Sequence, residues 1–322
     1  MGCARVVRPS LPALGACFKC GLPGVARVEC TKQSLCRECF CRQFEERVRK
    51  ANYRYKLLRR GDVVGVGVSG GKDSTAMLYV LSKLAAEIGG ITLKPVFVDE
   101  GIRGYRSEAG LSAEALCRQL GLKLNSFSFK DAFGVSLDEA VAKRGVKGLG
   151  ACSYCGVLRK RLLNSACREL GCNKLAIGHT ADDFCQTFLM NFLRGDAAAN
   201  GKFGVFVNAG VKGFVPRIKP LAFNLEADCE VYCRCHGLPF YGCKCPYSKE
   251  AFRGLAEDFL NEADAKYPGA KFNFLSCFLS PSGKRPRRAS HASCPSCGES
   301  YSGSAPACKA CEVLGALGVR RL

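Results

Sequence analysis

Apolar residues along this chain follow two patterns. The first is a short, unbroken, β-prone run: Asp62-Val-Val-Gly-Val-Gly-Val68, Ile91 to Val98, and Lys174-Leu-Ala-Ile-Gly178. Runs without polar alternation suit strands buried on both faces of a parallel sheet. The second is helical spacing, over Thr75 to Ile88 and Phe184 to Arg194. Strands alternating with helices predict an α/β fold with a doubly wound, mostly parallel sheet. Ligands of such sheets sit beyond the strand C-termini. Two polar turns are placed there: Ser69-Gly-Gly-Lys-Asp-Ser74 and His179-Thr-Ala-Asp-Asp183.

Both ends of the chain lack this pattern and carry paired cysteines instead. Cys17-x2-Cys20 is followed by Cys36-x2-Cys39, and Cys294-x2-Cys297 by Cys308-x2-Cys311. Each Cys-x-x-Cys turn points two sulfurs at one ion, and two such turns complete a tetrahedron around Zn2+. Four ligands close the shell, so both sites should be structural. Cys41 lies close enough to compete with Cys39. A zinc module also explains segments too short to build a core. The organisation expected is a zinc finger over 1–45, a nucleotide-binding domain over 46–280, and a linker with a second zinc finger over 281–322. Arg42 to Arg60 is a charged stretch with helix-like pattern at the first junction whose Arg and Lys residues could contact phosphates or form a solvated helix face, and Ser280 to Arg288 is a flexible basic linker.

Composition narrows the class. Among 322 residues, 48% are hydrophobic, enough for a core and too many for a disordered chain. The longest run free of Asp, Glu, Lys and Arg, Phe272 to Gly283, is short of the roughly 20 apolar residues that span a bilayer. The N-terminus has no signal-peptide core, and Val6 stands where a myristoylation motif needs Ser or Thr. A net charge of +20 suits a polyanionic partner such as nucleic acid. With 23 cysteines and 3 histidines, metal sites must be built mostly from thiolates, in a reducing compartment. A zinc-finger DNA-binding protein would account for the ends but not for residues 62–254.

The first polar turn is a phosphate cradle. Gly70 and Gly71 let the backbone approach an anion, and the following helix N-terminus attracts it. Ser69 and Ser74 can donate hydroxyls, Lys72 can neutralise the leaving phosphates, and Asp73 can cap the helix or help hold Mg2+. Asp99 ends the second strand, as a nucleotide contact or an ordinary turn. In the middle stand Cys152-Ser-Tyr-Cys155 and Cys245, with three possible uses. Three thiolates around a [4Fe–4S] cluster would leave one iron open to an external sulfur. Accessible thiols could instead carry a persulfide or form a disulfide during turnover. Cys233-x-Cys235 with Cys243-x-Cys245 could also form a third zinc site. Cys117, Cys167, Cys172, Cys185, Cys229 and Cys277 read as buried core thiols.

Ser-Gly-Gly-Lys-Asp-Ser resembles the PP-loop of ATP pyrophosphatases. Together with Asp99-Glu-Gly-Ile-Arg-Gly-Tyr105, Cys152-Ser-Tyr-Cys-Gly156, Gly178-His-Thr-Ala-Asp-Asp183, Leu189 to Asp196 and Cys245-Pro-Tyr-Ser248, it resembles the cytosolic tRNA 2-thiolation family of archaea and eukaryotes. The resemblance covers residues 15–315. Leu189 to Asp196 and Ala251-Phe-Arg-Gly254 lean to the eukaryotic branch. It implies a cytoplasmic tRNA sulfurtransferase that adenylates the C2 oxygen of wobble uridine 34 with ATP, releases pyrophosphate, and lets sulfur displace AMP. It implies ATP contacts at Ser69 to Ser74, Gly178 and Asp183, with Asp183 also an acid/base or Mg2+ ligand. Cys152, Cys155 and Cys245 match cluster ligands. Arg159 stands where some relatives carry a catalytic lysine, with Lys160 adjacent, and Cys39 stands where some use histidine. Implied partners are tRNA, a ubiquitin-like thiocarboxylated sulfur carrier, and a paralogous subunit or second copy. The alternatives are thiolation of another tRNA base, or a non-catalytic tRNA-binding subunit of a thiolase complex.

Overall fold

The computed structural model describes residues 11, 13–28, 31–143, 150–201, 203–250, 253–279, 291–298, 300–302, 306–307 and 311. Cys308, the basic linker and residues 251 and 252 lie outside them. Two compact units divide the chain, 1–279 and 280–322.

The first unit opens with two small hairpins, β1 (Leu14–Ala16) with β2 (Pro23–Gly24) and β3 (Ala26–Arg27) with β4 (Ser34–Leu35). Helix α1 (Arg37–Tyr55) follows as one piece, so the junction at residue 45 falls inside it. There follow β5 (Val63–Gly67), α2 (Lys72–Ile88), β6 (Thr92–Asp99), α3 (Arg106–Gln119), β7 (Asn125–Ser128), α4 (Phe129–Phe133), α5 (Leu137–Lys143) and α6 (Ala151–Glu169). Next come β8 (Lys174–Ala176), α7 (Ala181–Leu193), α8 (Ala197–Gly201), β9 (Phe206–Val207), β10 (Arg217–Ile218), α9 (Glu226–His236), α10 (Arg253–Lys266) and α11 (Ala270–Leu279).

The central sheet has the order β7-β6-β5-β8-β10-β9, with only the β9 edge antiparallel. The strand direction of progression reverses between β5 and β8. That is the topological switch point, where the loops after neighbouring strands diverge and leave a crevice. Both polar turns singled out in the sequence open into it.

Strand β5 shows why its run reads Val-Val-Gly-Val-Gly. Val64 and Val66 are fully buried in the main core. On the opposite face, a Cβ on Gly65 would stand 2.4 Å from the Cys167 sulfur of α6. Glycine thus brings α6 close to the strand that carries the anion loop. The N-terminal module is likewise anchored. Phe44 of α1 stacks on Tyr232 of α9 with ring centroids 4.2 Å apart, and Arg47 pairs with Asp228 at 2.6 Å. Glu45, also buried, accepts from Tyr232 at 2.8 Å and bonds Lys83. Burial pushes this carboxyl up, but Lys83, Tyr232 and Arg49 outweigh it and hold it below its usual range.

These contacts change the expectation for Arg42 to Arg60. Arg47 and Arg49 are engaged by acids, and Arg54 bonds the carbonyl of Leu279 at 3.3 Å. The residues of that stretch left facing solvent include Arg42, Lys50, Lys56, Arg59 and Arg60. Of the six cysteines read as core thiols, Cys117, Cys167, Cys172, Cys185 and Cys229 are buried, whereas Cys277 lies on the exposed face of α11. In the second unit, β11 (His291–Ser293) pairs with β12 (Ser300–Ser302). Among the described residues no helix is long and apolar enough to cross a membrane.

Candidate active site

The anion loop is tied into one shape by its own hydroxyls. Ser74 Oγ accepts from the Ser69 amide at 3.0 Å, meets Ser69 Oγ at 3.0 Å and donates to the Gly71 carbonyl at 3.0 Å. Gly70 has φ +83°, and a Cβ there would sit 2.0 Å from the Ala109 carbonyl oxygen. Gly71 is the N-cap of α2 and offers no side-chain acceptor, so the first amides of the helix remain available to an anion. Gly70→Ala is expected to cost about 1–3 kcal/mol from backbone conformation alone, with the Ala109 clash added. Thermal unfolding checks the loss, and nucleotide binding should fall with it.

Lys72 is the first residue of α2 after this loop, and its Nζ lies 2.5 Å from Glu226 and 3.5 Å from Asp73. Burial alone would lower the amine, but the two carboxylates raise it, so it stays charged. Asp73 is pushed up to about 7 by burial. Lys72 opposes that shift, while Glu226 and Asp183 reinforce it. A cation arriving here would therefore find acids held close together and short of positive charge.

The loop after β8 abuts the anion loop, since a Cβ on Gly178 would approach the Ser74 amide to 3.3 Å. Helix α7 begins at Ala181, so both aspartates lie in its first turn and diverge. Asp182 turns inward, taking Lys271 at 2.6 Å and the Glu226 amide at 2.7 Å. Asp183 closes a capping box with Thr180, and its second oxygen accepts from Arg253 at 2.9 Å. Asp99 is drawn into its own turn, accepting from the Gly101 amide at 2.8 Å.

The central cysteines lie on the same edge of the sheet. Cys155 and Cys245 share an apolar cluster with Val98 and Ile102, and the Cys152 sulfur faces the Tyr247 carbonyl at 3.7 Å. Burial pushes Cys155 and Cys245 up, and Arg159 works against it in both. Arg159 donates to the Cys155 sulfur at 2.8 Å and pairs with Glu100 at 2.6 Å. Glu100 also pairs with Arg106 at 2.5 Å, a contact with ionic rather than hydrogen-bonding geometry. Arg106 in turn bonds the Ser69 carbonyl at 3.1 Å. A chain of charged contacts thus runs from the anion loop to the Cys155 thiol.

The remaining thiols separate from this trio. Cys41 and Cys235 bond each other in the core, Cys233 donates to the Lys72 carbonyl at 3.3 Å, and Cys243 is held in a disulfide. A third zinc site from Cys233, Cys235, Cys243 and Cys245 is therefore not assembled, and Cys41 does not compete with Cys39. At the N-terminus, Cys17, Cys20, Cys36 and Cys39 gather within 4.8 Å of one another, with Cys20 3.5 Å from Cys36. Tetrahedral zinc with 2.3 Å bonds spaces its sulfurs about 3.8 Å apart. Cys294, Cys297 and Cys311 gather in the same way. Both modules use one turn: Gly21 and Gly298, at φ +77° and +78°, each return a 2.8 Å bond to the first cysteine's carbonyl. Cys152, Cys155 and Cys245 do not all gather within 4.8 Å of one another.

Glu226, Arg253, Glu100 and Arg106 were not assigned to the site from sequence. Glu226 and Arg253 act across 154 and 70 residues of chain, beyond any local pattern. Glu100 could have been found, because it adjoins Asp99 at the end of a strand in the nucleotide crevice.

A self-tied glycine loop at the switch point of a parallel sheet, with an open helix N-terminus and a lysine, defines a PP-loop protein. Residues 40–250 match the family described as PP-loop domain. The chain belongs to the cytoplasmic tRNA 2-thiolation protein 1 family. It is 38% identical over 310 residues to that protein of Mus musculus, covering 94% of this chain and 72% of the relative. It is 36% identical over 297 residues to that of Caenorhabditis elegans, covering 92% and 78%. Among solved structures it resembles the U34-tRNA thiolase NcsA from Methanococcus maripaludis with its [4Fe-4S] cluster. The TM-score is 0.72 and the identity 33%, covering 82% of this chain and 87% of that one.

Proposed function

We propose that this chain is a cytoplasmic, ATP-dependent tRNA sulfurtransferase that converts wobble uridine 34 to 2-thiouridine. The observation that carries the reading is the run of contacts from Ser69 through Arg106, Glu100 and Arg159 to Cys155. It supports a single crevice in which an activated oxygen and a sulfur can meet. Carbonyl C2 of uridine is a poor electrophile with a poor leaving group, and adenylation of its oxygen removes both defects.

Each residue has a role in that scheme. The amides of Ser69 to Ser74 and the α2 N-terminus receive the polyphosphate, Lys72 offsets charge on the departing pyrophosphate, and Gly178 lets the second loop close on the nucleotide. Asp73 and Asp183 would share Mg2+, with Arg253 bonded to the second oxygen of Asp183. Cys152, Cys155 and Cys245 would hold a [4Fe–4S] cluster, which when bound supplies an iron without a protein ligand to receive sulfur. Arg159, bonded to the Cys155 sulfur, would favour its thiolate form once a cluster is held. Each terminal cysteine quartet would hold one structural Zn2+, in the three-part organisation 1–45, 46–280 and 281–322. The tRNA is the polyanion that a net charge of +20 suits, gripped in part by Arg42, Lys50, Lys56, Arg59 and Arg60. A thiocarboxylated ubiquitin-like carrier would deliver sulfur, and a paralogous subunit or second copy would complete the assembly.

Reconstitution under anaerobic conditions with tRNA, ATP, Mg2+ and sulfide tests this. Mass spectrometry of the nucleosides should find 2-thiouridine at position 34, with AMP formed in step. A thiolated cytidine would reassign the substrate base, and absence of AMP would make the chain a non-catalytic subunit.

A further inference from the structure

Three lysines of the described residues are buried: Lys174, Lys219 and Lys271. Two have the carboxylate that burial of an ammonium demands. Lys174 pairs with Asp62 and Lys271 with Asp182, each at 2.6 Å. Lys219 is 2% exposed, yet its amine has no carboxylate or hydrogen-bond acceptor among the described residues. Its Nζ rests 3.4 Å from the ring centroid of Phe203 and 4.7 Å from that of Phe184. A cation–π contact returns far less than the solvation an isolated buried ammonium gives up. The arrangement is costly for folding and therefore points to a ligand.

Position identifies the ligand. Lys219 follows β10 directly, and Ile177 donates to the Ile218 carbonyl at 3.0 Å, so Lys219 lies level with Ile177, one residue before Gly178, at the C-terminal edge of the parallel strands. Beside it is His179, whose Nδ1 is buried without a partner and whose ring is 6.2 Å from Phe203. The charged groups acting on the amine are Arg217 from β10, Lys160 from α6 and Asp183 from α7. The Lys219 amine and the His179 imidazole, whose Nδ1 has no partner, thus both feel the charge of Asp183 at this end of the sheet.

We propose that Lys219 is a substrate-contacting residue of the thiolation reaction, its amine bonding an anionic oxygen of the α-phosphate in the uridine adenylate. The inference rests on the reading of this crevice as the adenylation site. In the first step a bond forms between uridine O2 and the α-phosphorus, and pyrophosphate leaves. In the second, hydrosulfide forms the C2–S bond and gives its proton to solvent. The C2–O2 bond breaks, and its electron pair stays on the phosphate oxygen of AMP. No oxidation state changes. Charge on that phosphate rises in the second step, next to a cation held ready and without competitors.

Burial, aided by Arg217 and Lys160 and opposed by Asp183, lowers the amine to about 7 in the free protein. The native state thus holds fewer protons than the unfolded chain between about pH 7 and the ordinary lysine range near 10.4, so stability should rise with pH across that window. Lys219→Met should abolish this rise and should not lower stability at pH 6.

The test uses the full chain, prepared anaerobically, with a tRNA transcript, ATP and sodium sulfide from pH 6 to 9. Lys219→Met should slow 2-thiouridine formation about 10²–10³-fold, with ATP affinity changed less than about threefold. Wild-type kcat/KM should fall as pH rises past about 7, and Lys219→Arg should recover at least a tenth of the rate and lose that alkaline fall. An unchanged rate in Lys219→Met, or the same alkaline fall in Lys219→Arg, overturns the proposal. So does a Lys219→Met chain destabilised at pH 6, which would make the lysine a structural pin. Failure of the wild type to form AMP would instead overturn the reading of the crevice.

Discussion

A chain carrying Lys72→Ala should form AMP from ATP and tRNA at least about 10²–10³-fold more slowly than the wild type. Lys72 opens α2 at the glycine loop, and two acids hold it. Its Nζ holds Glu226 at 2.5 Å and Asp73 at 3.5 Å, and Asp183 acts on the same Asp73. When the polyphosphate enters, Lys72 can turn from Glu226 to the anion, exchanging one negative partner for another. Alanine leaves Glu226, Asp73 and Asp183 facing the incoming phosphates without their counter-charge, so ground-state binding and the pyrophosphate-releasing step both suffer. The fold should survive, because Lys72 sits in the first turn of α2 with part of its side chain in solvent and contributes nothing to the apolar core. Thermal unfolding within a few degrees of wild type, together with loss of AMP by chromatography, is the expected pair of results. Turnover at wild-type rate would remove Lys72 from the reaction.

Replacing Cys155 with serine should remove iron from the anaerobically purified protein and reduce 2-thiouridine to background, while zinc is retained. About four irons and about two zincs per chain are expected before the change. Cys155 is the inner member of its trio, buried against Val98, Ile102 and Leu162, and it receives the guanidinium of Arg159 at 2.8 Å. A hydroxyl there stays protonated, so the site loses both a soft ligand and the negative charge that Arg159 was placed to meet. The terminal quartets lie in other parts of the chain and share no sulfur with the trio, so their metal should be untouched. Cys152→Ser and Cys245→Ser should behave alike. Iron retained in all three variants would refute this ligand set. Loss of zinc along with iron would mean that the modules do not fold independently of the cluster.

The elements around the crevice were legible because their signals are local. The β5 run, the Ser-Gly-Gly-Lys-Asp-Ser loop and α2 occupy adjacent stretches, and a strand, a glycine turn and an open helix start specify one another within about 25 residues. The terminal cysteine clusters were legible for the same reason, since a Cys-x-x-Cys-Gly turn fixes two sulfurs by itself. Helix boundaries were less exact. Helix α7 starts at Ala181 rather than Phe184 because the Thr180 and Asp183 capping box extends it.

The sequence by itself determined the class of fold, the anion loop and the paired terminal thiols, because each depends on residues within a few positions of one another. Only the tertiary structure decided how those parts are wired. It separated Asp182, buried against Lys271, from Asp183, which faces the crevice with Arg253. It engaged Arg47 and Arg49 with acids, joined Cys41 to Cys235, and left Lys219 without an ion pair among the described residues. The physical reason is that pattern along the chain fixes which side chains share a turn or a face, whereas the partner of a buried charge is chosen when distant elements pack. A lysine reads the same in sequence whether it will meet a carboxylate or an aromatic ring.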